Sequence, residues 1–345
     1  MNIKIVDSPK TKHLRSEDYN FDFDKKTGFF ARWGKDYNDD PQAGLPEIAD
    51  IEITTKCTGP GGKLCKFCYK ANTPNGANMT LETYKKILEK LPKSVTQIAF
   101  GADANCTMNP DIFEIMRVTK EAGIVPNITV AEISDEVADE LVKYCGAVAV
   151  SRYEDKNLCY DSIKRLTDRG MTQINIHQMI SKETFNQTLE TIADSKTDPR
   201  LDKLNAIVFL SLKTKGRGEI GFRQLSKEEF TELTNLCLES NTPFGFDSCG
   251  AHKFLNAIEG FEESKRKALE MSVEPCESSL FSIYIDTFGK FYPCSFSPNT
   301  DVWGDTGIDV VSCNDFIKDV WFHERTKAFR KTLLDGNRNC PIYRI

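Results

Sequence analysis

Between Pro46 and about residue 250 the chain alternates two kinds of apolar pattern. Short apolar runs of strand length occupy 48–54, 96–101, 125–131, 147–151, 172–180, 204–212 and 243–248. Helix-length stretches lie between them, with apolar residues three and four apart. Ser134 opens one such stretch, whose apolar face carries Val137, Ala138, Leu141, Val142 and Cys145 and which stops at Gly146. Ser226 and Glu229 form a capping box ahead of a helix that buries Phe230, Leu233 and Cys237. Thr80 and Asn109 begin two more helices, and Gly123 and Gly170 end others. About six strand–helix alternations in succession predict a parallel sheet with crossover helices over residues 47–254. In such folds ligands gather at the C-terminal ends of the strands.

The rhythm stops near residue 255. A charged helix over 259–271, a hairpin with arms at 281–286 and 291–294, and a helix around 325–334 predict a small α+β appendage at 255–345. Residues 1–46 are polar and broken by Pro9, Pro41 and Pro46, yet hold Tyr19, Phe21, Phe23, Phe29, Phe30 and Trp33. Disordered tails are aromatic-poor, so this is expected to be an extension packed on the main domain. Neither an internal repeat nor a low-complexity tract is visible.

Composition narrows the function. The 345 residues are 40% apolar and 28% charged, a globular balance, and the net charge is −6. That mild acidity, with no recognition motif, argues against nucleic acid or anionic membranes as partners. The N-terminus has no apolar signal region, and runs such as 206–210 are far too short to span a bilayer. A cytoplasmic protein is expected. Its twelve cysteines would then stay reduced. Burial explains the scattered ones, Cys106, Cys145, Cys159 and Cys237; metal or cluster binding explains the grouped ones.

The main group lies in TTKCTGPGGKLCKFCYK, directly after the first predicted strand, with the spacing Cys57-x7-Cys65-x2-Cys68. A structural zinc usually takes four ligands from two knuckles; here there is one Cys-x2-Cys pair and no nearby His. Three thiolates from one loop suit an iron–sulfur cube with one iron left open. The Gly59-Pro60-Gly61-Gly62 stretch lets such a loop fold tightly, with backbone N–H groups facing sulfide. Zinc remains the alternative.

A strand, a cysteine loop with Phe67 before its third cysteine and Tyr69 after it, and repeated βα units together resemble the radical S-adenosylmethionine superfamily. The usual spacing there is Cys-x3-Cys-x-aromatic-Cys; this chain has four more residues in the first gap. The resemblance covers roughly residues 47–250 and implies a partial (β/α)6 TIM-like barrel. It places Gly101, Ala102 and Asp103 where the family has a Gly-Gly-Glu-like stretch that meets the methionine amino group. Ser151 and Arg152, ending the fourth strand, would contact the cofactor's ribose and carboxylate, with Asn175 and His177 as weaker candidates.

In the appendage, Cys276-x12-Gly289-x4-Cys294 resembles the opening of the SPASM and twitch auxiliary-cluster domains. Gly289 would turn a hairpin that brings the flanking cysteines together, and Cys340 would be a third thiolate. The full SPASM set of seven is absent, so the fourth ligand would be Cys313, Cys249, a substrate atom or none.

The resemblance implies a [4Fe-4S] cluster, S-adenosylmethionine, a second iron–sulfur cluster and an external one-electron reductant. Reductive cleavage of the sulfonium would give a 5′-deoxyadenosyl radical that abstracts hydrogen from a substrate, with a peptide or protein preferred by analogy. A second reading takes a small anionic metabolite or nucleotide, anchored by Lys213, Lys215 and Arg217. A third is a non-catalytic metal-binding or electron-transfer protein.

Overall fold

A computed structural model describes residues 3–343 apart from 38, 40, 42 and 43. The first four strands, β1 (Lys4–Asp7), β2 (Thr11–Arg15), β3 (Asn20–Asp24) and β4 (Phe30–Trp33), form an antiparallel sheet in sequence order. This is the N-terminal extension. Leu14, Tyr19, Phe21 and Phe23 are buried. Tyr19 stacks on Phe281 at 6.1 Å, and the Lys12 ammonium donates to the carbonyl of Val95 at 2.6 Å. The extension therefore packs against the end of the barrel where the strands begin.

The barrel follows as β5 (Ile48–Glu52), α1 (Leu81–Lys90), β6 (Gln97–Gly101), α2 (Ile112–Glu121), β7 (Val125–Val130), α3 (Asp135–Tyr144), β8 (Ala147–Ser151), α4 (Lys156–Asp168), β9 (Ile174–Ile180), α5 (Phe185–Thr197), β10 (Ala206–Ser211), α6 (Lys227–Glu239) and β11 (Phe244–Phe246). Strands β5 to β11 are parallel and lie side by side in sequence order. Six βα units and an edge strand make the expected partial barrel. Alternation sets its two faces. Along β9, Ile174, Ile176, Gln178 and Ile180 pack against the helices, while Asn175, His177 and Met179 face the lumen and are less buried.

The caps behave largely as the sequence predicts. Ser134 accepts the N–H of Val137, Ser226 and Glu229 form both halves of a capping box, and Thr80 accepts the N–H of Thr83. Gly123 and Gly170 end their helices at φ +78° and +86°, backbone angles that favour glycine. Asn109 differs. Asp111 is the N-cap of α2, and the buried Asn109 amide instead bonds the carbonyls of Ile53 and Met79.

The appendage is joined to the barrel more closely than its composition suggests. It contains α7 (Ala251–Ala257), α8 (Glu263–Glu270), β12 (Ser282–Ile285), β13 (Lys290–Tyr292), β14 (Ile308–Asp309) and α9 (Glu324–Asp335). Helix α7 runs across the expected boundary at 254/255. Strand β12 pairs in parallel with β5, so one ten-stranded sheet runs from β11 through the barrel to β14. A hydrophobic cluster spans all three regions, from Leu14 and Phe21 through Ile51 and Ile176 to Phe291 and Trp321. Among the described residues no helix is long and apolar enough to cross a membrane.

Candidate active site

Strand β5 delivers the chain into the cysteine loop at the C-terminal edge of the sheet. The backbone N–H of Cys57 bonds the carbonyl of Thr73, which closes the base of the loop. Gly59 takes φ +77°, and a Cβ there would lie 1.9 Å from the carbonyl oxygen of Lys63, so only glycine fits. Its N–H donates to the sulfur of Cys57 at 3.2 Å. The residues that lengthen the first gap form a short 3-10 turn, Pro60–Gly62. The carboxylate of Glu132, just past β7, accepts the N–H of Gly61 at 2.8 Å.

Two further strand ends grip the loop. From the end of β8, Tyr153 reaches the vicinity of the Cys65 sulfur and of Ser151. Its ring stacks on Phe67 at 5.5 Å. From beyond β10, Arg217 donates to the carbonyls of Cys65 at 2.7 Å and Asn72 at 3.0 Å, and its backbone N–H bonds Cys68. Gly216 passes so close that a Cβ would lie 2.5 Å from the carbonyl of Tyr69. Burial pushes the Cys65 thiol up to about 11; Tyr153 and Arg217 oppose this, while Cys68 and Cys57 add to it. Cys57 and Cys68 thus lie within electrostatic reach of Cys65. The Gly59 N–H and the Tyr153 hydroxyl are donors of the kind that ligating sulfurs accept. The donor set fits an iron–sulfur cluster with three protein ligands. Among the described residues no group of three His, Cys, Asp or Glu is arranged to hold a single metal ion; cluster ligands attach to separate irons.

The lumen beside the loop is polar. Glu52 accepts the Tyr284 hydroxyl at 2.9 Å and pairs with Lys70 at 3.1 Å, and Lys70 also donates to the Tyr284 hydroxyl at 2.6 Å. Asp50, one layer deeper on β5, is solvent-exposed. Across the barrel, burial holds His177 down to about 4, against the pull of Asp247. Glu52, Lys70, Tyr153 and Tyr284 have no sequence signal of their own. Only the parallel pairing of β12 with β5 brings Tyr284 beside Asp50 and Glu52.

The expected cofactor contacts fare unequally. Gly101 packs against Glu52, with room for a Cβ only at 3.3 Å from its Cα; Ala102 is half-buried at the same edge. Asp103 does not offer a free carboxylate. It is buried and accepts the N–H of Met108 at 3.0 Å, the ordinary use of an Asp in a turn. Burial raises its pKa and these turn N–H groups oppose the rise. Ser151 acts through Tyr153. Arg152 turns away from the lumen: its guanidinium pairs with Glu190 at 2.9 Å and lies over Tyr160, among the helices. Alternation explains this, since Arg152 follows the lumen-facing Ser151. Asn175 faces the lumen but is engaged by Asn205 at 2.9 Å. His177 remains open to it.

The cations expected to hold an anionic substrate are all in use. Lys213 is buried against Asp247, Lys215 donates to the carbonyls of Phe296 and Pro298, and Arg217 holds the cysteine loop.

A second group of thiols forms where the appendage meets the barrel. Burial pushes Cys294 up to about 12, with Cys276 and Cys340 adding. Burial raises Cys249 as well, opposed by Lys213 and reinforced by Asp247, Cys276 and Cys340. The N–H of Tyr343 donates to the sulfur of Cys340 at 3.3 Å. Cys276 and Cys340 thus lie within electrostatic reach of both Cys249 and Cys294. Cys313 does not. Its neighbours are Lys90, Asp319, Asp309 and Asp315, which removes it as a fourth ligand. Of the scattered cysteines, Cys106, Cys159 and Cys237 are buried, and Cys145 packs its sulfur 3.8 Å from that of Met116.

No family model and no curated protein sequence matches the chain. Solved structures do. The crystal structure of Streptococcus suis SuiB bound to precursor peptide SuiA superposes with a TM-score of 0.69 at 14% identity, over 98% of this chain and 91% of that one. Streptococcus suis SuiB bound to S-adenosylmethionine gives 0.63 at 16% identity, over 84% and 68%. The chain thus shares the fold of these two SuiB structures.

Proposed function

We propose that this chain is a radical S-adenosylmethionine enzyme acting on a peptide or protein. The carrying observation is the cysteine loop: Cys57, Cys65 and Cys68 on one loop, held from three strand ends, at the C-terminal edge of a barrel of this fold. Cys57, Cys65 and Cys68 would hold a [4Fe-4S] cluster with one iron open to the amino and carboxylate groups of S-adenosylmethionine. When bound, the pair supplies a 5′-deoxyadenosyl radical after one electron from an external reductant.

The chain's own residues then do the rest. Gly59 and Tyr153 donate to the thiolates of Cys57 and Cys65, and Arg217 and Glu132 keep the loop from shifting. Burial keeps His177 neutral above about pH 4, so it faces the lumen as an uncharged donor and acceptor. The Lys70–Glu52–Tyr284 network fixes the polar wall beside the loop. The appendage borders that side through the β5–β12 pairing.

A peptide substrate is supported by the likeness to SuiB bound to its precursor peptide over nearly the whole chain. The reading with a small anionic substrate loses its anchors, because Lys213, Lys215 and Arg217 are consumed by internal contacts. We further assign Cys249, Cys276, Cys294 and Cys340 to one auxiliary iron–sulfur cluster. The deciding experiment is 5′-deoxyadenosine formation by anaerobically reconstituted protein given S-adenosylmethionine and dithionite. Product is expected from the native chain and absent from Cys65→Ala. No product from protein shown to carry its cluster, with or without candidate peptide, would overturn the enzyme reading in favour of a binding or electron-transfer protein.

A further inference from the structure

The ten-stranded sheet ends at β11, and a row of residues crosses the last barrel strands to reach it. Val208 of β10 pairs with both Gly245 of β11 and His177 of β9, and His177 pairs with Ser151 of β8. The rings of Phe244 and Phe246 lie among Phe209, Phe230 and Phe254 on the helix side. By alternation Gly245 faces the lumen. A Cβ on Gly245 would meet nothing within 4 Å, so the row ends in open space at the margin of the sheet. That margin also has unused main-chain groups. The N–H of Ile207 bonds the carbonyl of Pro243, and the N–H of Asp247 bonds the carbonyl of Phe209. In a parallel ladder this commits residues 243, 245 and 247 to β10 and turns the N–H and C=O of Phe244 and Phe246 outward. Among the described residues those outward groups have no partner. Residues 244–246 are half-buried throughout, so water reaches this edge. The opposite margin of the same sheet, β14, has only two residues.

We propose that this edge docks the substrate peptide: an extended segment adds as a strand beside β11, and one of its side chains passes over Gly245 into the lumen. This rests on the peptide reading above and names where that peptide would lie. Outward N–H and C=O groups two residues apart match the main chain of an extended peptide, whatever its sequence. Side chains of an added strand alternate in direction, so every second one turns to the lumen. The one level with Gly245 meets no wall and enters on the row that carries Val208 and His177. An unpaired edge of this kind is ordinarily a hazard, which chains block with charge or cover; Phe244, Gly245 and Phe246 carry no charge. A larger residue at 245 would close the passage and leave the fold intact, because its Cβ has room.

The probe is a phage-displayed library of random peptides, panned on the full chain after anaerobic reconstitution. The most enriched peptide is synthesised, and its affinity and its effect on amide hydrogen exchange are measured. Bound peptide is expected to slow exchange at the amides of Phe244 and Phe246. N-methylation along the peptide should weaken binding about tenfold at alternate positions and little between them, since every second N–H faces β11. Gly245→Val should unfold at the native temperature yet bind the peptide about tenfold more weakly. Tight binding with Phe244 and Phe246 exchanging as in the free chain would leave the peptide reading standing and overturn this edge. Native affinity in Gly245→Val would overturn the passage into the lumen. If no peptide is enriched, the peptide reading itself falls, and the docking edge with it. Should Gly245→Val fail to fold, exchange and the N-methyl series decide.

Discussion

Arg217→Ala should empty the cysteine loop while leaving the fold standing. The native guanidinium makes two charge-assisted hydrogen bonds, to the carbonyls of Cys65 and Asn72. Such bonds contribute about 1.5–3 kcal/mol each. Arg217 is half-buried, so water can replace part of what is lost, and the lower figure applies to each bond. The loop should then lose about 3 kcal/mol of local order, about a hundredfold in its ordering equilibrium. The barrel core does not depend on these contacts, so the midpoint of thermal unfolding should fall by only about 2 °C. Iron and sulfide per chain after reconstitution, and amide exchange over 57–73, read the first effect; calorimetry reads the second. Arg217→Lys should recover little, because one ammonium cannot span two carbonyls as the planar fork does. Native iron content and native exchange protection in Arg217→Ala would refute the reasoning, since the loop would then be held without the clamp.

Gly59→Ala should block cluster incorporation altogether, because its Cβ meets the Lys63 carbonyl at 1.9 Å and its backbone sits at φ +77°; iron analysis checks this, and near-native content would sink it. Tyr153→Phe keeps the stack on Phe67 but removes the hydroxyl at Cys65, so iron content should hold while the potential of the loop cluster falls, as read by redox titration. Arg32 is 7% exposed and pairs with Glu47 at 2.8 Å, Glu277 at 3.0 Å and Glu274 at 3.0 Å. Arg32→Met leaves buried carboxylates uncompensated, and denaturant unfolding should show a loss of about 3–5 kcal/mol. His177 is held at about 4 against an ordinary 6.5, so the unfolded chain binds the extra proton between those values. Stability should therefore be full above about pH 6.5 and fall as pH drops toward 4, and His177→Gln should flatten that limb in a pH series of unfolding curves.

The barrel was legible because each of its signals is local. Alternating faces and capping residues placed β8 at the residues the pattern predicts, and the other barrel strands to within three residues at either end. The N-terminal sheet was not legible. Strands such as KIVD and TKHLR carry few apolar residues, and their order comes from pairing with one another. The continuity of the appendage with the barrel was hidden for another reason: β12 and β5 are far apart in sequence, and nothing local encodes which edge a strand will join. The polar side chains of the site follow one pattern. Asp103, Lys215 and Arg217, each a candidate for a ligand, bond backbone groups. Every residue carries such groups, so sequence cannot say which one a polar side chain will find. Arg152 is governed by strand parity, and its side chain lies among the helices.

The contacts around the cysteine loop bear on its long first gap. A loop with four residues beyond the usual spacing is entropically costlier to order, though the cost grows only slowly with length. Left alone, it would present Cys57 at a poorly fixed distance from Cys65. The chain answers with contacts that need no change in the cysteines. Glu132 from the end of β7 holds the Pro60–Gly62 turn, Tyr153 from the end of β8 holds Cys65, and Arg217 from beyond β10 holds the far side. The strand ends are the most rigid points available, because each is hydrogen-bonded to its neighbours in the sheet. Glu132, Tyr153 and Arg217 are therefore the means by which the barrel imposes its geometry on a long loop. A chain with the shorter spacing would have less need of the clamp at Arg217 and of the carboxylate at Glu132.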